Sequence, residues 1–320
     1  MYDQTEKFYN TFCKKTQSKN GMWEQRFFTD GRLAPCWGYQ IDETASVVYG
    51  VYEHYKIKKE EKFLRDNIKM CEKAIEFLIK YVKNLLEIEE TDKVKKELEE
   101  KYGYKDSLYK HVSYDLWEMN EGIHLYSLAS ICAAFNSMTN IYDVIYESYK
   151  NNRIKQEKIR KERKEYQELK LKIKNYIAEK LYDKERKTYV RNTQDKKLDI
   201  SIIGAVTPFK LYTPKEKKIT NTIENIDLSL RTYTGGYKRF EEDNYMNGNP
   251  WTIATLWMAE YHIQKGERNK AIEELNYVVK SANQHGLLPE QVNNEKMKPA
   301  WVIGLGWAHA MFIQTIKKLY

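Results

Sequence analysis

The sequence predicts an all-α fold, with antiparallel helix pairs in two layers as in an α/α toroid. Three observations carry this. Glycine (14) and proline (6) are scarce among 320 residues, which favours long helices over a many-turned β architecture. The helices come in two kinds, one apolar nearly all round and one apolar on a single face. The two kinds alternate along the chain, so an inner layer is covered by an outer one.

Taken in order, the expected helices are 3–17, 42–56 and 60–83, then a charged stretch near 86–102. After these come 117–136, 138–150, 153–181, 199–208, 214–231, 250–265 with 267–284 taken as one pair, and 301–319, about ten in all. The segments 122–135, 251–263 and 301–316 lack a polar face and are expected to be buried on most sides. In 66–83, Ile68, Cys71, Ile75, Leu78 and Val82 fall at helical spacing. In 267–284, Ala271, Ile272, Leu275, Val278, Val279 and Ala282 do the same. Gly266 between two such segments is the expected C-terminal stop. The turn-forming runs are Gly235-Gly236 and Asn247-Gly248-Asn249-Pro250. Asn249 is expected to cap the next helix, with Pro250 at its first position. No linker interrupts the chain, so 1–320 reads as one helical domain.

Composition removes several function classes. Net charge is +8, but eleven Lys/Arg and four Glu fall within 150–174. That run reads as a solvated outer helix with an apolar stripe of Ile154, Leu169 and Ile173, so no nucleic-acid partner is expected. Cys13, Cys36, Cys71 and Cys132 are irregularly spaced, and the six histidines show no ligand spacing; no metal and no cofactor are expected. No apolar run reaches membrane-spanning length, and the first residues have no apolar core. The expectation is therefore no membrane, no signal peptide and a cytoplasmic location. The 26 Tyr and 7 Trp suit sugar sites, because a pyranose C–H face packs on a ring while a polar handle stays free.

Glycosidic hydrolysis needs two carboxyl groups, one protonated to serve the leaving oxygen and one to activate water. Two glutamates lie in apolar settings: Tyr114-Asp115-Leu116-Trp117-Glu118 and Gly286-Leu287-Leu288-Pro289-Glu290-Gln291. Each alone is a weak signal. With their neighbours they resemble the glucoamylase family, glycoside hydrolase family 15. The first segment, followed by Gly122-Ile-His, is similar to the family's general-acid segment, and Leu-Leu-Pro-Glu-Gln to its general-base segment. Arg239-Phe-Glu-Glu-Asp-Asn-Tyr-Met-Asn-Gly-Asn-Pro-Trp251 resembles the segment whose Arg holds the cleaved glucose. The stretch from Gln25 to Glu43 resembles a further sugar-lining segment, and Lys298 to His309 the last inner helix. The matches run in order from about residue 20 to the end.

By this resemblance Glu118 is the acid and Glu290 the base, and Trp37, Gln40, Asp42, Trp117, Arg239 and Trp307 lie against substrate. The implied fold is an (α/α)6 barrel. The implied activity is an inverting exo-acting α-glucosidase on an α-glucan or maltooligosaccharide, with 1,6-α-glucosidase or trehalase action on trehalose as alternatives. Two departures stand out. Met119 occupies the place of the family's second Glu, and a thioether cannot accept hydrogen bonds as a carboxylate does. The family's first hairpin, with its Arg-Asp pair, has no counterpart before residue 20. The chain therefore reads as about ten of twelve helices, lacking the first hairpin, which a second chain or a missing N-terminal segment would supply. These departures leave open a catalytically impaired glucan-binding or regulatory module of the same fold. Asp42 also reads as a possible helix N-cap, and His124 and His309 as core histidines.

Overall fold

The computed structural model describes residues 2–36, 38, 40–90 and 113–320. The expected site residue Trp37 and most of the charged stretch 86–102 lie outside them. The chain divides into two compact units, Met1–Glu179 and Lys180–Tyr320.

The first unit opens with α1 (Tyr2–Lys7), which continues through a π-helical turn, Phe8–Cys13, into Lys14–Thr16. A loop leads to α2 (Ile41–Lys58). It ends where Lys59 turns left-handed, φ +59°, and its N–H donates to the Tyr55 carbonyl. α3 (Glu61–Glu90) buries Phe63, Leu64, Ile75, Leu78 and Val82 on one face. α4 (Leu125–Ile145) is buried nearly all round, and α2 and α3 both pack on it. α5 (Arg153–Lys180) buries Ile159, Tyr166, Leu169, Ile173, Tyr176 and Ile177; Tyr166 stacks on Phe135 of α4 at 5.4 Å. Its charged face is exposed and laced with ion pairs such as Lys158–Glu162 and Arg163–Asp143. Ile154, expected in the apolar stripe, is instead 83% exposed, because it lies in the first turn of α5, before the helix meets the core.

The expected helices 117–136 and 138–150 are also redrawn. α4 is one helix across both, and 117–124 is not helical. It belongs to a β-hairpin, β1 (Ser113–Tyr114) paired antiparallel with β2 (Glu121–Gly122).

The second unit starts with a hairpin of β3 (Tyr182–Asp183) and β4 (Thr188–Tyr189). A fully buried 3-10 turn, Ile200–Ala205, follows, and then α6 (Lys217–Leu230). α7 (Thr252–Lys265) is buried from Thr252 to His262 and ends at Gly266, φ +87°, the predicted left-handed stop. α8 (Arg268–Ser281) packs against it with one apolar face, giving the expected inner–outer pair. α9 (Gly306–Leu319) also packs on α7. Glu260 of α7 is buried and bound by Thr207 and by Thr315 and Lys318 of α9.

Two expectations fail here. Asn249 does not cap α7. The chain at 249–251 is drawn into a ladder instead: Trp251 N–H donates to Tyr237, and Val292 N–H to Pro250, so the helix starts at Thr252. Nor is 301–316 a helix buried on most sides. Residues 299–303 pair with 289–292, α9 begins only at Gly306, and it buries just Ala308, Met311, Thr315 and Leu319.

Candidate active site

In the first unit the β1–β2 hairpin carries Glu118. Asp115 shapes it: its buried carboxylate accepts from the Met119 N–H at 2.9 Å and from Asn120 Nδ2 at 2.9 Å. The Glu118 N–H donates to the Asp115 carbonyl at 2.9 Å. These bonds close a turn in which Glu118 sits at φ +61°, where an L-residue is strained. Its side chain is partly exposed and forms an ion pair with Arg26. Trp117 beside it is buried, and Met119 is 46% exposed.

Gln40 and Asp42 brace this hairpin at the start of α2. The buried Gln40 amide donates to the Asp115 carbonyl, and its oxygen accepts from Gln25 at 3.0 Å. Asp42 is not the cap. It lies inside the first turn, buried, and accepts from Ser127 Oγ of α4 at 2.8 Å. Burial pushes Asp42 up to about 6, against the lowering effect of Ser127. Burial, then the charges of Asp42 and Glu118, push Glu43 up to about 9, with Arg26 opposing. Glu43 therefore keeps its proton at neutral pH, while Asp42 is largely ionised there and accepts from Ser127 as a carboxylate. Sequence reasoning did not single out Arg26 and Glu43. Both lie in the Gln25–Glu43 motif, but nothing in the spacing shows that Arg26 reaches a residue 92 positions away.

In the second unit a ladder gathers Tyr237, Trp251 and Gln291 side by side. Beside it, Arg239 is clamped by Asp243: Nε to Oδ2 is 2.8 Å and Nη2 to Oδ1 is 2.9 Å, with side chains only 4% and 1% exposed. The guanidinium lies 4.7 Å from the Trp251 ring, 5.0 Å from Tyr245 and 5.1 Å from Phe240. Such a cage fixes the direction of its remaining donors. Asp243 was visible in the sequence only as part of the Arg239 segment.

Glu290 is held by its backbone. Its N–H donates to Val302 at 2.8 Å, and its carbonyl accepts from Thr252 at 3.0 Å. Burial raises its carboxyl pKa, opposed by a hydrogen bond from Gln291 and by the charge of Arg239. The two strands of this ladder are unequal. Between the pairs Pro289–Ile303 and Val292–Pro299 lie two residues on one side and three on the other, a β-bulge at 300–302. Trp307, at the start of α9, is 41% exposed and meets buried Trp257 edge-on at 5.8 Å. His124 is buried and binds the Ser113 carbonyl; His309 accepts from the Leu288 N–H. No group of His, Cys, Asp and Glu that could hold a metal ion occurs among the described residues.

The structure thus brings Gln40, Asp42, Trp117 and Glu118 together in one unit and Arg239 and Glu290 in the other, with Trp307 at the head of α9. The sequence profile of the Glycosyl hydrolases family 15 matches residues 1–317. This chain belongs to that family. As a family 15 member it is 26% identical over 316 residues to an uncharacterized glycosyl hydrolase of Methanocaldococcus jannaschii, covering 94% of this chain and 45% of that protein. It therefore spans less than half the length of that relative. Trehalase 1 of Sulfolobus acidocaldarius is 23% identical over 134 residues, 41% of this chain and 24% of the trehalase. Among solved structures, the glucoamylase of Saccharomycopsis fibuligera superposes with a TM-score of 0.72 at 15% identity, over 99% of this chain and 80% of that one. The likeness gives this family 15 chain the all-α fold of glucoamylases, the (α/α)6 barrel. No described helix is long and apolar enough to cross a membrane.

Proposed function

We propose that this chain is the catalytic domain of an inverting exo-acting α-glucosidase that releases glucose from the non-reducing ends of α-glucans in the cytoplasm. Glu118 gives its proton to the glycosidic oxygen, the C1–O bond breaks, and Glu290 takes a proton from the attacking water. Arg239 holds hydroxyls of the departing glucose. Gln40, Asp42, Trp117 and Trp307 complete the surroundings of the sugar.

The observation that carries this reading is Glu290. A base works best with a pKa near the working pH, and burial lifts this carboxyl in that direction. It does so next to a caged guanidinium, in a chain of a glycosidase family. The test is maltotriose followed by NMR. β-Glucose is expected first, and α-glucose first would sink inversion. Glu290→Gln is expected to lose about 10²–10⁴-fold in kcat; full activity would refute the base. Trehalose run in parallel examines the substrate suggested by the trehalase relative.

Met119 favours a second reading. An exposed thioether where the family has a second carboxylate weakens a sugar contact, as in a glucan-binding module with little turnover. Binding of maltooligosaccharide without any glucose release by the well-folded chain would select that reading.

A further inference from the structure

The proposed roles leave one aromatic next to the Glu290 strand without a task. Trp301 is 41% exposed, although a ring of this size is normally hidden. It sits in the bulge opposite Gln291, and a bulge re-aims a side chain that strict alternation would send elsewhere. Its ring meets Tyr245 edge-on at 6.4 Å. Tyr245 in turn covers Arg239 at 5.0 Å. The order is therefore guanidinium, Tyr245, Trp301, moving outward from the group assigned to the cleaved glucose.

Tyr245 is itself held by an unusual turn. Met246, Asn247 and Gly248 are all left-handed, at φ +48°, +66° and +64°, and Asp243 accepts from the Tyr245 N–H at 3.1 Å. Consecutive strained residues persist where surrounding contacts hold them, and such strain collects at ligand sites. The partly open Trp301 ring offers a flat apolar face with an indole N–H at its edge, and Tyr245 stands perpendicular to it and fixes its tilt. That is the chemistry that receives a pyranose ring.

We propose that Trp301, backed by Tyr245, stacks on the glucosyl unit on the leaving side of the scissile bond and sets a preference for oligosaccharides. This rests on the hydrolase reading above. Trp301 is then a specificity-determining residue. It contributes only when the leaving group is a sugar.

That condition supplies the experiment. The full chain and its Trp301→Ala and Trp301→Phe variants are assayed on maltotriose and on α-glucosyl fluoride, whose leaving group is fluoride and needs no sugar platform. Trp301→Ala is expected to lower kcat/KM on maltotriose about tenfold, the order a lost aromatic contact gives. It is expected to leave the fluoride rate within about twofold, and Trp301→Phe to recover most of the loss. Equal losses on both substrates would mean the ring only supports the fold, and no loss on either would mean it touches no sugar. Both outcomes overturn the assignment of Trp301 alone. A wild-type chain that is folded by circular dichroism and hydrolyses neither substrate overturns the hydrolase reading, and this proposal with it.

Discussion

Replacing Asp243 by alanine is the sharpest test of how the second unit is held together. Both side chains of the Arg239–Asp243 pair are out of water, and the carboxylate makes two parallel bonds of 2.8 and 2.9 Å. Removing one partner of a buried pair costs about 3–5 kcal/mol, because the other charge keeps its desolvation penalty. The rings of Phe240, Tyr245 and Trp251 already surround the guanidinium in the wild type, so they cannot compensate. The variant also loses the acceptor of the Tyr245 N–H. For a unit of this size each kcal/mol moves Tm by about 2–4 °C, so a drop of roughly 6–20 °C is expected. Asp243→Asn, which keeps the shape and one acceptor, should lose about half as much. Calorimetry and urea unfolding measure both. Adding Arg239→Met to Asp243→Ala should recover stability, since it removes the stranded charge. If Asp243→Ala unfolds within about 1 kcal/mol of wild type, the buried-pair argument is wrong.

Two further outcomes concern the first unit. Ser127→Ala removes the donor to the buried Asp42 carboxylate and should cost about 1–3 kcal/mol in urea unfolding; a neutral result would show that the α2–α4 contact does not depend on that bond. Glu43→Gln tests the crowded carboxyls through pH. The folded protein holds the Glu43 proton up to about 9, far above its ordinary value of 4.5, so folding favours the protonated form. That stability is fully present below about 4.5 and is lost as pH rises towards 9. Glutamine has no such loss, so the variant should gain on wild type between pH 5 and pH 8. A gap that stays constant or closes would refute the shift.

Much of the helical frame was legible because its signals are local. Gly266 ends α7 where a left-handed residue was needed, and the one-faced spacing of 267–284 became α8. What escaped was set by hairpin closure and by partners distant in sequence, neither of which residue spacing shows. Glu118 reads as part of a helix until Asp115 and β2 close the hairpin around it. Pro250 reads as the first turn of a helix until Val292 claims its carbonyl. The run from Trp301 has helical apolar spacing, yet its first residues satisfy their backbone groups against the strand that holds Glu290. Arg239 could be singled out by its motif, while the Arg26–Glu118 contact has no trace in spacing. The local pattern therefore set out the scaffold, and hairpin closure at Glu118 and long-range pairing at Glu290 then took residues from helix ends to build the loops that hold the carboxyls.

The backbone at residue 118 has a practical consequence for engineering. An L-residue there gives up about 1–2 kcal/mol relative to glycine. Any stabilisation campaign that ranks substitutions by torsional comfort will nominate glycine at this turn. Such a substitution is expected to raise the melting point while discarding the side chain proposed above as the acid.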